Sequence, residues 1–176
     1  MKSLFLFRHA DAANTAGDDR DRPLTESGAR DASLAGCFLA GIDQVPRLAV
    51  VSTARRAQQT FERAATAGAW RLVPRLEARL YESSPDLVVA VIREQLDAAD
   101  SLLLVGHQPT WSTLVERFTG SDAFGFAPGA IVRLDLAART WADIDAGGGM
   151  IAWCLSPRWW HRGTLASTLM GSGDAS

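Results

Sequence analysis

Three short apolar segments constrain the fold of this chain more than any other feature of its sequence. They cover residues 3–7, 48–51 and 102–105, and polar residues bound each of them. Short, continuous apolar runs are typical of strands that are buried on both faces of a parallel sheet. Parallel strands need long crossover connections, so helices are expected between them.

Helical patterns do lie between these runs. Thr25 predicts the N-cap of a first helix, Ser84 followed by Pro85 predicts the start of a second, and a third follows Pro109 and stops at Gly120. The apolar residues that repeat with the helical period in these three stretches are Leu34, Ala35, Phe38, Leu39 and Ile42; Val88, Val91, Ile92 and Leu96; and Trp111, Leu114, Val115 and Phe118.

Three further segments, residues 130–136, 140–144 and 150–155, have strand character, and the three glycines at 147–149 favour a turn between the last two. We predict these segments as strands near the edge of the sheet. The order of elements therefore predicts an α/β fold, a doubly wound three-layer α/β/α domain with a mostly parallel sheet and antiparallel edge strands.

The length of 176 residues and the hydrophobic content of 47% are those of one domain with a buried core. We assign residues 1–157 to this domain and residues 158–176 to a C-terminal tail. In the tail, Trp159 and Trp160 are expected to act as a packing anchor, and His161, which matches no motif, is expected at the surface.

Charge, apolar runs and cysteine content indicate the class of partner, the cellular location and the state of the thiols. With 18 basic and 20 acidic residues the formal charge is -2, which argues against nucleic acid or an anionic membrane as a partner. No apolar run approaches the ~20 residues of a membrane span, and the apolar N-terminus is too short for a signal peptide, so we predict a cytoplasmic location. In such a reducing compartment Cys37 and Cys154 are expected to be packed thiols rather than a disulfide or a zinc pair.

Cationic and imidazole groups follow each of the three buried strands. Arg8 and His9 follow the first, residues 55–56, both arginines, follow the second, and Gly106 and His107 follow the third. In open α/β sheets, ligands bind beyond the carboxyl ends of the strands, so these groups should meet in one crevice suited to a dianionic phosphate. The sequence contains no Walker loop, acidic metal cluster or Ser-x-Gly elbow, so catalysis without a metal or other cofactor is expected from imidazole and guanidinium groups.

Four sequence blocks resemble those of the histidine phosphatase superfamily. They are residues 6–12 (LFRHADA), 22–25 (RPLT), 52–60 (STARRAQQT) and 105–109 (VGHQP). Their spacing and the small size of the chain are most similar to the SixA-type phosphohistidine phosphatases, as is a Leu-Tyr pair at 80–81 that precedes Ser-Pro. The resemblance extends from residue 3 to about residue 156.

This resemblance implies a role for five residues. His9 would be the nucleophile, Arg8 and Arg56 would clamp the phosphoryl oxygens, and His107 would donate to an equatorial oxygen in the transition state. Arg22 would be an additional phosphate or substrate contact. Physical chemistry agrees with this assignment, because nearby cations lower the pKa of His9 below ~6.5 and so keep its lone pair free for attack.

The match to the family has one ambiguity and two departures. Arg56 rather than Arg55 corresponds to the family's arginine, because it lies four residues after Ser52. Ala10 stands where many members have glycine, and Thr53 stands where many have proline. Neither departure removes a chemical group.

A general acid is not evident in the sequence. Larger members of the superfamily supply a carboxyl group from a segment between the two halves of the site, and here that region offers only Glu82, which is expected to be solvated. An acidic loop near the site is expected either to be solvated or to meet a basic protein partner, and it contains Asp11, Asp18, Asp19 and Asp21. Without an acid, the substrate should have a good leaving group, such as the imidazole of phosphohistidine.

Three functions remain in competition at this point. The first is a protein phosphohistidine phosphatase that acts on a phosphorelay or phosphotransferase component. The second is a phosphomonoesterase of the same fold that acts on small phosphate esters. The third is a phosphate-binding module without turnover, which the presence of both histidines and both arginines argues against.

Overall fold

The computed structural model of this chain describes residues 1–122 and 125–159. The strands are β1 (Lys2–Arg8), β2 (Leu48–Ser52), β3 (Arg75–Glu77), β4 (Ser101–Gly106), β5 (Ile131–Leu136) and β6 (Gly149–Leu155). The helices are α1 (Glu26–Gly41), α2 (Arg55–Ala67), α3 (Pro85–Arg93) and α4 (Thr110–Thr119). Single 3₁₀ turns cover Asp19–Asp21, Ala78–Leu80 and Pro157–Trp159.

The six strands form one sheet in the order β3-β2-β4-β1-β5-β6. The first four strands of this order pair in parallel, whereas β5 is antiparallel to both β1 and β6. The predicted apolar runs at 3–7, 48–51 and 102–105 form the three central parallel strands, and 130–136 and 150–155 form the antiparallel strands. These predictions are confirmed.

Both faces of the sheet are buried, which makes the domain a three-layer structure. Along β1, Leu4 and Leu6 pack into one core with residues of α3 and α4, and Phe5 and Phe7 pack into a second core with residues of α1 and α2. This alternation explains why the strand reads as a continuous apolar run, because each successive side chain enters a different core. The predicted fold class is confirmed.

The predicted helix signals act as expected. The Thr25 hydroxyl accepts a hydrogen bond from the Gly28 N–H at the start of α1, and the Ser84 hydroxyl accepts one from the Leu87 N–H at the start of α3. Gly120 ends α4 in the left-handed conformation, with φ of 69°. Trp111 in α4 is 1% exposed and belongs to the core, as predicted.

The prediction of a strand at 140–144 is wrong. This segment forms turns, in which the Trp141 N–H donates to the Asp97 carboxylate and the Trp141 indole donates to the Ala99 carbonyl. Trp141 and Ile144 are buried and lie three residues apart, so both can enter the core only because the backbone turns between them. The edge strand β3 and helix α2 have no counterpart among the predicted elements.

The packing expected of Trp159 and of Cys154 is wrong. Trp159 is 60% exposed and so does not anchor the tail by packing, whereas Trp160 and His161 lie outside the described residues. Cys154, in the edge strand β6, is exposed, and Cys37 is half-buried, with its thiol donating to the Ala67 carbonyl. Both cysteines are free thiols.

None of the helices in the described ranges is both long and apolar enough to cross a bilayer.

One close approach fixes the two helices that cover the second core. Gly36 of α1 lies so near the α2 backbone that an added Cβ would be 2.0 Å from the Ala64 carbonyl oxygen. This contact fixes α2, whose first turn carries Arg56, against the rest of the domain.

Candidate active site

The carboxyl ends of β1 and β4 bring His9 and His107 together. The two strands pair in register up to Arg8 and Gly106, and the His9 N–H continues the ladder by donating to the Gly106 carbonyl at 2.9 Å. The centroids of the His9 and His107 rings are consequently 5.1 Å apart. An atom bound between the two rings could contact both of them.

The His9 ring is oriented by its own backbone. Its Nδ1 lies 2.8 Å from the Ala10 carbonyl oxygen, and because a carbonyl can only accept, Nδ1 carries the proton. Nε2 of the neutral ring therefore has a free lone pair. Ala10 is held in turn by its N–H, which donates to the Thr60 hydroxyl of α2 at 3.0 Å.

The charge state of His9 follows from its surroundings. Burial is the largest of the effects that lower the pKa of His9 to about 4. The positive charges of Arg56, Arg8 and Arg22 act in the same direction, and the bond to Ala10 opposes them. The ring is therefore neutral at neutral pH. A neutral imidazole with an exposed lone pair is a competent nucleophile for phosphorus.

Two arginines are anchored by their outer nitrogens. Arg56 is 7% exposed and donates from Nη1 to the Asp19 carbonyl at 2.6 Å and from Nη2 to the Asp19 carboxylate at 2.8 Å. Arg8 donates from Nη1 to the Phe126 carbonyl. The Nε of each arginine is buried and has no hydrogen-bond partner among the described residues. Arg55, by contrast, is exposed, so Arg56 is the arginine that lies at the site.

Arg22 binds the same carboxylate as Arg56, that of Asp19. Arg22 donates to the other carboxylate oxygen of Asp19 at 2.9 Å and, through Nε, to the Ala13 carbonyl at 2.9 Å. The Tyr81 hydroxyl donates to Asp19 at 3.1 Å. Hydrogen bonds from Arg22, Arg56 and Tyr81 lower the pKa of Asp19 to about 2, so this group is a carboxylate and not an acid at neutral pH.

One ring nitrogen of His107 has a hydrogen-bond partner, and the other has none among the described residues. Its Nε2 lies 2.8 Å from the Ser52 hydroxyl at the end of β2, whereas Nδ1 is buried and has no partner among the described residues. Burial lowers the pKa of His107 to about 3, with further contributions from His9 and Arg56, so this ring is also neutral. The Tyr81 ring packs edge-on against His107, with centroids 5.7 Å apart.

The structure thus brings together all five residues that the sequence singled out, and it adds three. Asp19 was one of four acids in the loop with no distinguishing mark, and Ser52 and Tyr81 appeared only as parts of motifs. The signal that could have found Tyr81 is its position in the Leu-Tyr pair, because it is the one tyrosine of the chain.

The other acids considered from the sequence have different positions. Glu82 is exposed, with a positive φ of 50°, and Asp21 is also exposed. Asp18 caps the turn that follows it, and Asp11 accepts a hydrogen bond from the Thr25 hydroxyl. Within residues 1–122 and 125–159, no group of three or more histidines, cysteines and carboxylates is placed to hold a metal ion.

Comparison with known proteins gives a consistent set of relatives. A family model described as the histidine phosphatase superfamily, branch 1, matches residues 4–87. The phosphohistidine phosphatase SixA of Escherichia coli is 30% identical over 160 residues, which span 88% of this chain and 93% of that protein. An uncharacterized protein of Mycobacterium tuberculosis is 34% identical over 151 residues, or 80% of this chain and 92% of the relative.

The likeness extends to solved structures. The protein histidine phosphatase SixA complexed with tungstate superposes with a TM-score of 0.78 and 27% sequence identity, and the match covers 89% of this chain and 97% of that one. The similarity therefore extends over most of both chains.

Proposed function

Because this chain belongs to the histidine phosphatase superfamily and is a phosphatase, we propose that it hydrolyses phosphohistidine on a protein through a phosphorylated His9. One observation carries the proposal. Three buried nitrogens beside His9 have no hydrogen-bond partner among the described residues, namely Arg8 Nε, Arg56 Nε and His107 Nδ1. Buried polar atoms are normally paired, and the two arginine N–H groups in this set favour an oxyanion ligand. The similar SixA structure holds tungstate, which is such an oxyanion.

The geometry supports a two-step reaction. The Nε2 lone pair of His9 forms a bond to phosphorus while the bond from phosphorus to the substrate nitrogen breaks, and the substrate imidazole keeps that electron pair. Arg8, Arg56 and His107 donate to the equatorial oxygens and stabilise their charge during the transfer. Water then attacks the phosphorus on His9, releases inorganic phosphate and restores the neutral ring.

The carboxylates near the site favour a substrate that needs no acid. Glu82 is exposed, and Asp19 is bound to cations that keep it ionised, so neither is placed to protonate a leaving alkoxide. A phospho-imidazole that is protonated on its other nitrogen can leave as a neutral ring of low basicity. Phosphohistidine meets this requirement and phosphoserine does not.

The partner in this scheme is a phosphorylated protein, such as a component of a phosphorelay or phosphotransferase system. Arg8 and Arg56 supply the positive charge that a metal ion would otherwise provide, so the scheme needs no metal or other cofactor. A cytoplasmic location stays a prediction from the sequence.

The experiment compares three substrates on the same enzyme preparation: a phosphohistidine protein, a phosphoserine peptide and small phosphate esters. We expect phosphohistidine to be hydrolysed faster than phosphoserine by roughly 10² to 10⁴, the usual contribution of a positioned general acid. Comparable rates for phosphoserine or a small ester would favour the phosphomonoesterase instead.

Two variants sharpen the comparison. Glu82→Gln should leave phosphohistidine turnover nearly unchanged, whereas His9→Ala should abolish covalent labelling of the enzyme by phosphate. If Glu82→Gln selectively loses phosphoserine turnover, Glu82 is the missing acid and the proposal is wrong about the substrate class. Covalent labelling that persists in His9→Ala would contradict the assigned nucleophile.

A further inference from the structure

We infer that Ser52 is a positioning residue, which holds the proton of His107 on Nδ1 so that this ring presents an N–H donor to the substrate. The identity of the acceptor, a phosphoryl oxygen, rests on the proposed function. The position of the proton does not, because it follows from the hydrogen bonds around Ser52.

Ser52 is the last residue of β2 and is fully buried. Its hydroxyl oxygen lies 3.3 Å from the Ala54 N–H, which donates to it, and 2.8 Å from His107 Nε2. A hydroxyl group has one hydrogen to donate and two lone pairs that accept. Since Ala54 occupies one lone pair, the direction of the bond to His107 depends on where the hydroxyl hydrogen points.

Two arrangements are possible for a neutral His107. If the Ser52 hydroxyl donates to Nε2, the hydroxyl hydrogen and the Nε2 lone pair are both paired, and only the Nδ1 proton is left over. If Nε2 instead donates to Ser52, the hydroxyl hydrogen has no acceptor in the hydrogen bonds of the described residues, and Nδ1 is a buried, bare lone pair. The second arrangement leaves one more buried polar group unpaired, which costs free energy. The first arrangement is therefore favoured.

This assignment gives the two histidines complementary functions from the same tautomer. His9 donates its Nδ1 proton to the Ala10 carbonyl and presents a bare Nε2, whereas His107 is capped at Nε2 by Ser52 and presents an Nδ1 proton. One ring can attack phosphorus and the other can donate to a phosphoryl oxygen. A bare Nδ1 on His107 would instead repel that oxygen.

In the alternative tautomer, His107 Nδ1 would present no proton beside the two unpaired arginine N–H groups. Arg8 and Arg56 are held by their outer nitrogens and each presents Nε, so the set becomes complete only with a proton on His107 Nδ1. Ser52 would therefore contribute to the rate through His107, without contacting the substrate.

The test is nitrogen nuclear magnetic resonance of the protein with ¹⁵N-labelled histidine at pH 7, which distinguishes protonated from bare ring nitrogens. In the wild-type protein we expect His107 to be protonated at Nδ1 and bare at Nε2. A proton on Nε2 would overturn the inference, whatever the activity, and this measurement does not depend on any variant folding.

Ser52→Ala tests the consequence, with Thr53→Ala as the matched control. Thr53 lies next in the chain, and its hydroxyl has no hydrogen-bond partner among the described residues. Removing the Ser52 bond should populate the Nε2-protonated tautomer of His107 and lower kcat for phosphohistidine by roughly fivefold to tenfold, the equivalent of one ordinary hydrogen bond. The control should retain both the tautomer and the rate.

The outcomes separate this inference from the proposed function. A Ser52→Ala protein with an unchanged His107 tautomer, or with a shifted tautomer but the wild-type kcat, would overturn the positioning role. A wild-type protein with the expected tautomer but no phosphohistidine hydrolysis would support the proton assignment and refute the proposed function.

Discussion

A pH titration of His9 tests the electrostatics of the site directly. Burial first, and then the charges of Arg56 and Arg8, lower the pKa of His9 from 6.5 to about 4. A shift of this size disfavours the charged ring by on the order of 3 kcal/mol. At pH 5.5, a histidine with a pKa of about 4 is ~97% neutral, whereas an ordinary histidine is only ~9% neutral. The proposed nucleophile should therefore stay neutral well into the acidic range.

The measurement is a proton-carbon nuclear magnetic resonance titration of the ring signals between pH 7.5 and pH 4.5. The variant His161→Gln removes the third histidine signal, which leaves His9 and His107. Both rings should remain essentially unprotonated at pH 5.5, because the pKa of His107 is also lowered, to about 3. A ring of either residue that titrates near 6.5 would refute the argument that burial and cations keep the site neutral.

The same shift makes the stability of the protein depend on pH. The pKa of His9 is lower in the folded than in the unfolded state, so the unfolded chain takes up the proton first as the pH falls. Stability is therefore lost as the pH falls from ~6.5 toward ~4, and between pH 7 and pH 5 the loss from His9 is about 2 kcal/mol. Urea denaturation at these two pH values measures this loss together with the loss of the same sign from His107, whose pKa is also lowered. Stability that rises as the pH falls over this range would contradict the assigned shift.

Three further predictions concern charge, packing and metal. Arg56→Lys should lower kcat by a factor of roughly 10² to 10³, because a lysine cannot both bind Asp19 and present a second donor to the site. The control Arg55→Lys, at an exposed position, should have the wild-type rate. Gly106→Ala should lower the free energy of unfolding, measured by urea denaturation, by about 1–3 kcal/mol, because its Cβ would lie 2.6 Å from the buried Trp111 ring. The control is Gly148→Ala, whose Cβ would meet nothing closer than 3.6 Å. Treatment with a chelator should leave phosphatase activity intact, and loss of activity that magnesium restores would contradict the metal-independent scheme.

Much of the fold could be predicted from the sequence, because the relevant signals are local. The caps at Thr25 and Ser84 each act on an N–H group three residues away, and the apolar run of β1 reflects two cores that alternate along one strand. The segment at 140–144 was mistaken for a strand because its burial depends on Asp97 and Ala99, which are far away in the sequence. The exposure of Trp159 likewise depends on what lies next to it in space.

The candidate site likewise has one part that the sequence predicts and another that depends on the tertiary structure. Arg8, His9 and His107 follow predicted strands directly, and the carboxyl ends of parallel strands meet at one edge of a sheet, so the sequence alone determined that these groups would converge. Only the tertiary structure decided how they are held. The bond between Ser52 and His107 joins residues 55 positions apart, and the bond between Tyr81 and Asp19 joins residues 62 positions apart. Such contacts leave no periodic pattern in the chain, yet they decide which polar atoms of the site are paired and how each arginine is held.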